Sequence, residues 1–113
     1  SPYQRKSHEH EIEFLHHAGI EVVAEHNLDL DGSDAYCGMP AKDWLDAVAA
    51  VKNDRAGACF VSCANIRATE IIPQLEQSLG CPVITSNQVI IWRALRLAGI
   101  DDSLPALGSL GSL

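Results

Sequence analysis

The side chains best suited to chemistry in this chain are one thiol, one phenol and a handful of hydroxyls and amides. In "FVSCANIRATEIIPQLE", residues 60–76, an apolar run stops at Ser62-Cys63-Ala64-Asn65 and a helix-compatible stretch follows. A thiol at such a junction can be a core cysteine, a redox centre, a metal ligand or a nucleophile, and inert core is the commonest of these. In an open parallel sheet, however, ligands bind beyond the carboxyl ends of the strands, where helix N-termini also point. A helix start attracts anions and lowers a thiol's pKa. Tyr3, Ser33, Asp34, Ser62, Cys63, Asn65, Thr85, Ser86 and Asn87 all fall at such ends. The pattern suits a cysteine facing a carboxylate. Forming or protonating a carbanion beside a carboxylate needs a nearby acid/base and fixed donors for the developing enediolate. Cys63 can be the first, and the N–H groups around Cys63 and Ala64 the second. Cys59 and Cys81 read as core thiols, and Asn65 and Asn87 can equally be helix caps.

Other constellations point to less. His8, His10, His16 and His17 alternate with Glu9, Glu11 and Glu13, but HExxH is absent and a solvated helix face accounts for them, so no metal is expected. Arg93 and Arg96 can reach a carboxylate or serve as surface charges. No GxGxxG or Walker A pattern exists, so no nucleotide cofactor is expected. The net charge of −7, without a Lys/Arg cluster, argues against nucleic acid. No apolar run is long enough to span a bilayer, and no signal peptide is visible. Cys37, Cys59, Cys63 and Cys81 show no CxxC, so reduced thiols in a cytoplasmic protein are expected.

These residues must be held by alternating elements. Ile12, Leu15 and Ala18 fall at helical spacing over residues 4–18, with Gly19 as a stop. "GIEVVAEH" then reads as a short strand, and residues 27–40 as a polar loop. Ala41, Trp44, Leu45 and Val48 predict a helix over 40–53 with Pro40 at its start. "AGACFVSC" and "CPVITS" are strand-length apolar runs, separated by a helix over 67–79 that Gly80 ends. "NQVIIWRALRLAG" is a helix capped by Ser86 or Asn87, with apolar residues nearly all round, hence buried on more than one side. Alternation with apolar strands predicts an α/β fold, three-layered, with a short parallel sheet. Leu104, Leu107, Leu110 and Leu113 of the tail are expected to pack on another lobe or subunit, giving a homo-oligomer, or else to fold back.

From Ser62-Cys63 through Leu75-Glu76, Leu79-Gly80, Pro82-Val83 and Ser86-Asn87-Gln88 to Trp92 and Leu95-Arg96-Leu97-Ala98-Gly99, the chain resembles the C-terminal lobe of the aspartate/glutamate racemase superfamily. The branch holding maleate cis–trans isomerase and arylmalonate decarboxylase is the most similar, and Ser1-Pro2-Tyr3 is similar to the motif that opens that lobe. The resemblance implies a two-lobed, cofactor-independent enzyme with its site between the lobes. It makes Cys63 the second-lobe acid/base, and it assigns substrate carboxylate to Tyr3, Ser62, Ala64 and Asn65. Isomerisation of a small dicarboxylate is the leading expectation. Arylmalonate-type decarboxylation, with Cys63 as proton donor, is the alternative, and a non-catalytic binding lobe is a third. A cysteine in the first lobe favours isomerase or racemase; a glycine there favours decarboxylase. Isomerases of this branch carry an asparagine near Gly32–Asp34, which "GSD" lacks. The expected organisation is a lobe over residues 1–100, without its first strand, and a tail over 101–113. The first lobe would come from a longer chain or a partner.

Overall fold

Glycine stops place the first helix, α1, at Arg5–His17 in the computed structural model, which describes residues 1–113. Gly19 takes φ 80°, Gly19 N–H donates to His16 O (3.0 Å) and Ile20 N–H to Leu15 O (2.9 Å), a Schellman closure that needs a left-handed residue. The last helix, α5 (Ser86–Leu97), ends the same way at Gly99, with Ile100 N–H on Leu95 O. Between them lie α2 (Gly32–Gly38), α3 (Asp43–Ala49) and α4 (Ile72–Leu79). Pro73 sits in the first turn of α4, where a missing N–H costs nothing.

The sheet is parallel and has two strands, β1 (Cys59–Val61) and β2 (Val83–Thr85), in register Cys59↔Val83, Phe60↔Ile84 and Val61↔Thr85. The crossover between them runs through a 3₁₀ turn, Ala68–Ile71, and α4. Trp44 and Val48 of α3, Val61, Cys63, Ile66, Ala68, Ile72, Leu75 and Val83 form the core.

Several expectations need correction. Residues 19–26 form no strand: they run without regular structure, and residues 21–25 make no backbone–backbone hydrogen bond. A strand is defined by its neighbour, and none flanks this run. The loop expected over 27–40 contains α2, and the helix expected from residue 67 begins as 3₁₀. The N-cap of α5 is Thr85, not Ser86 or Asn87: its hydroxyl accepts from Gln88 N–H (3.2 Å) while the Gln88 side chain accepts from Thr85 N–H (2.6 Å). Nor is α5 buried on several sides; Ile90, Ile91 and Leu97 are exposed.

The tail folds back. Residues 105–112 wind into 3₁₀ turns against α4, β2 and α5, burying Leu107 and Leu110 and leaving Leu113 exposed. Two polar ties hold it: Gln88 Nε2 donates to Leu107 O (2.7 Å), and the Glu76 carboxylate accepts from Val83 N–H and Ser109 N–H (both 3.1 Å). Gly111 permits the closest approach, since a Cβ there would lie 1.9 Å from Leu104 O. Gly111→Ala should therefore destabilise the fold by about 1–3 kcal/mol, the usual overpacking range. A thermal unfolding curve that overlays the parent's would contradict this packing.

Candidate active site

The path from sequence to site begins where β1 ends at Val61. Ser62 and Cys63 follow, both 6% exposed, and Cys63 takes φ 99°. A side chain in that left-handed region costs about 1–3 kcal/mol and persists only where the surroundings hold it. Here they do. Cys63 N–H donates to Ser86 Oγ (3.2 Å), Asn87 Nδ2 to Ala64 O (3.0 Å), and Asn65 Nδ2 to Ser33 O (3.0 Å). The first turn of α5 and the first turn of α2 thus stitch the Cys63 loop from two sides. Asn65 N–H donates to Cys63 Sγ (3.3 Å), so the sulfur already receives one backbone donor.

Tyr3 reaches the same place from the other end of the chain. Burial, and then the adjoining Cys63, pushes its phenol up to about 12, while the Ser62 hydroxyl acts in the opposite sense. The ring meets Tyr36 of α2 edge to face, centroids 5.7 Å apart at 76°. Ser62 Oγ donates to the Glu11 carboxylate of α1. A thiol, a phenol and a hydroxyl therefore converge at one strand end.

Of the expected site residues, Tyr3, Ser62, Cys63, Ala64 and Asn65 are brought together. Two details differ from expectation. Cys63 does not open its own helix, because residues 64–67 intervene before the 3₁₀ turn; the helix start beside it belongs to α5, through Ser86. The Cys63 N–H is also committed to Ser86. Asp34 lies exposed in α2. Arg96 caps its own helix end through Ile100 O (2.7 Å) and lies over the Trp92 ring, so it does not serve the site. His8, read as part of a solvated face, is instead buried, with Nε2 2.7 Å from Glu25 and Nδ1 2.9 Å from Ser1 Oγ. Tyr36 and Glu11 were not identifiable from sequence, since both reach the site through tertiary contacts.

All four cysteines are free thiols. At Cys59, in β1, burial first, and Cys81 beside it, push the thiol from the ordinary 9.0 up to about 11. Below about pH 9 it is neutral both folded and unfolded. Between about 9 and 11 only the unfolded chain ionises, so stability should fall as pH rises through that window. Tyr3 should extend the loss toward about 12. Urea midpoints measured at several pH values should show this slope, and Cys59→Val should reduce it.

Fold and site together define a racemase-type α/β lobe with a thiol at a strand end. The arylmalonate decarboxylase family model matches residues 1–111, and the chain belongs to that family. It is 40% identical over 40 residues to the arylmalonate decarboxylase of Bordetella bronchiseptica, a stretch covering 35% of this chain and 17% of that protein. In three dimensions it superposes on the maleate isomerase Iso of Pseudomonas putida S16 with a TM-score of 0.93 at 23% identity. A Cys→Ala variant of that isomerase, solved with maleate, gives 0.92. In both cases the match covers 98% of this chain and 45% of the other, so the chain spans under half of that protein's length. No helix is long and apolar enough to cross a membrane.

Proposed function

We propose that this chain is the proton-delivering lobe of a cofactor-independent decarboxylase acting on a small, substituted malonate. The convergence of Tyr3, Ser62 and Cys63 at one strand end carries the reading, in a chain that the arylmalonate decarboxylase family model matches over residues 1–111. The C–C bond to one carboxylate breaks and CO₂ leaves, the electron pair remaining as an enediolate. Tyr3 and the Ala64 N–H hold the surviving carboxylate, while Ser62, tied to Glu11, and Asn65, tied to Ser33, keep the loop in place. The Cys63 S–H then gives its proton to carbon, and water restores the thiol. Isomerisation of a dicarboxylate, the leading expectation from sequence, is the second reading, supported by the fold shared with maleate isomerase. The complementary lobe, and self-association through the exposed Ile90, Ile91 and Leu97 of α5, belong to the same proposal.

The test uses the complete protein that contains this chain. Phenylmalonate, methylmalonate and maleate are supplied in D₂O, and CO₂, deuterated monoacid and fumarate are measured. CO₂ with deuterium at the α-carbon supports decarboxylation, and fumarate supports isomerisation. No turnover, together with Cys63 alkylation that none of the three dicarboxylates slows, would leave only a binding lobe.

A further inference from the structure

Asn87 is the second residue of α5, yet it does not cap that helix, because Thr85 and Gln88 close the helix start between them. Its amide reaches the Cys63 loop instead, where Nδ2 donates to Ala64 O (3.0 Å). Residues 62–67 belong to no helix or strand, so contacts from outside the loop must fix its peptide planes.

The plane that Asn87 holds is the one that serves the thiol. Ala64 O and Asn65 N–H are the two ends of a single peptide group, and the chain has no cis bond. In a trans peptide the C=O and the N–H point to opposite sides of a rigid plane. Asn87 therefore grips one side, and from the other Asn65 N–H donates to Cys63 Sγ (3.3 Å). Rotating this plane would break both bonds together. Ser86, one residue earlier on α5, accepts from Cys63 N–H (3.2 Å) and steadies the start of the same turn.

We propose that Asn87 is a positioning residue for Cys63: through the Ala64–Asn65 peptide it keeps a backbone donor aimed at the sulfur. The inference rests on the reading of Cys63 as proton donor. When that proton passes to carbon, the sulfur is left anionic. A hydrogen bond to an ionised partner is roughly twice as strong as one between neutral groups. A donor already in place at that moment needs no reorganisation. The left-handed φ of 99° at Cys63 adds to the need, since such a turn persists only where its surroundings hold it. The tie from Asn87 ends on loop backbone and not on the carboxylate-binding groups, so its loss should fall on kcat and leave KM nearly alone.

The test uses the complete protein containing this chain, with Asn87→Ala, Asn87→Gln and Cys63→Ala. Alanine is a good helix former, so the first variant does not weaken α5 itself. On whichever dicarboxylate the parent turns over, Asn87→Ala should lower kcat by about 10–100-fold, the worth of one hydrogen bond to a charged group, with KM within about threefold. Asn87→Gln keeps the amide and should recover most of the loss. Amide hydrogen exchange supplies a readout independent of turnover. The Asn65 amide should exchange about tenfold faster or more in Asn87→Ala, and also in Cys63→Ala, which removes its acceptor. Amides of β1 and α5 should keep the parent's rates. A raised KM with kcat preserved would make Asn87 a substrate contact and overturn the proposal. So would a parent-like kcat, or an Asn65 amide as protected in Asn87→Ala as in the parent. If the parent turns over no dicarboxylate, the decarboxylase reading fails by itself and exchange alone decides. Asn65 exposed in both variants then supports the tie to sulfur, and Asn65 unchanged overturns it.

Discussion

Cys63→Ala in the complete protein should lower dicarboxylate turnover by about 10²–10⁴-fold, the contribution typical of a positioned acid or base, with KM changed little. The reason for the split is geometric. Tyr3, assigned to the carboxylate, packs on Tyr36, and Ser62 beside it is tied to Glu11, so neither rests on the thiol alone. Removing Sγ leaves them in place and takes away only the proton. Deuterium incorporation at the α-carbon should fall in step with kcat. A variant retaining turnover within a few-fold of the parent would remove Cys63 from the mechanism.

Backbone conformation gives this prediction a second arm. At φ 99° alanine is strained as cysteine is, while glycine is not. Cys63→Gly should therefore be more stable than Cys63→Ala by about 1 kcal/mol and equally inactive. A site that stores strain to aim a side chain gains stability when the side chain is removed and the backbone relaxed. If glycine proves the less stable of the two, the left-handed turn at Cys63 does not hold in solution.

How much of this could be read in the sequence depends on whether a feature is local. Helix ends at Gly19 and Gly80 were legible because a left-handed C-terminal residue is a one-position signal. The Ser62-Cys63 junction was legible because an apolar run stops there. By contrast, Ile20–His26 has strand composition but no ladder, since pairing depends on what lies beside it. Helix α2 escaped notice because Gly32–Gly38 is too short to show a period. The fold-back of the tail was one of two open outcomes. What decided it was a Gln88 amide looking for an acceptor at Leu107 O, and a Gly111 small enough to touch Leu104 O. The Gln88 amide lies outside residues 101–113, so the tail alone does not show where it docks. For the same reason Cys63 was found as a candidate, while Tyr36 and Glu11, which position its neighbours, were not.

Tyr3→Phe should raise KM for a dicarboxylate by about 10–100-fold, the worth of one hydrogen bond to a charged group, with a smaller change in kcat. Phenylalanine keeps the edge-to-face contact with Tyr36, so the fold should lose little stability and the effect can be assigned to the hydroxyl. The pH dependence separates this role from acid/base work. A phenol pushed up to about 12 stays protonated, and so stays a donor, across the whole neutral and moderately alkaline range. KM of the parent should then show no limb from Tyr3 below about pH 11, and the Phe variant should shift KM by the same factor at pH 6 and pH 9. If the two profiles instead converge as pH rises, Tyr3 is titrating within that range and exchanges protons with the substrate or with Cys63. If KM is unmoved at every pH, the carboxylate lies elsewhere, and the convergence of Tyr3 on Cys63 serves packing alone.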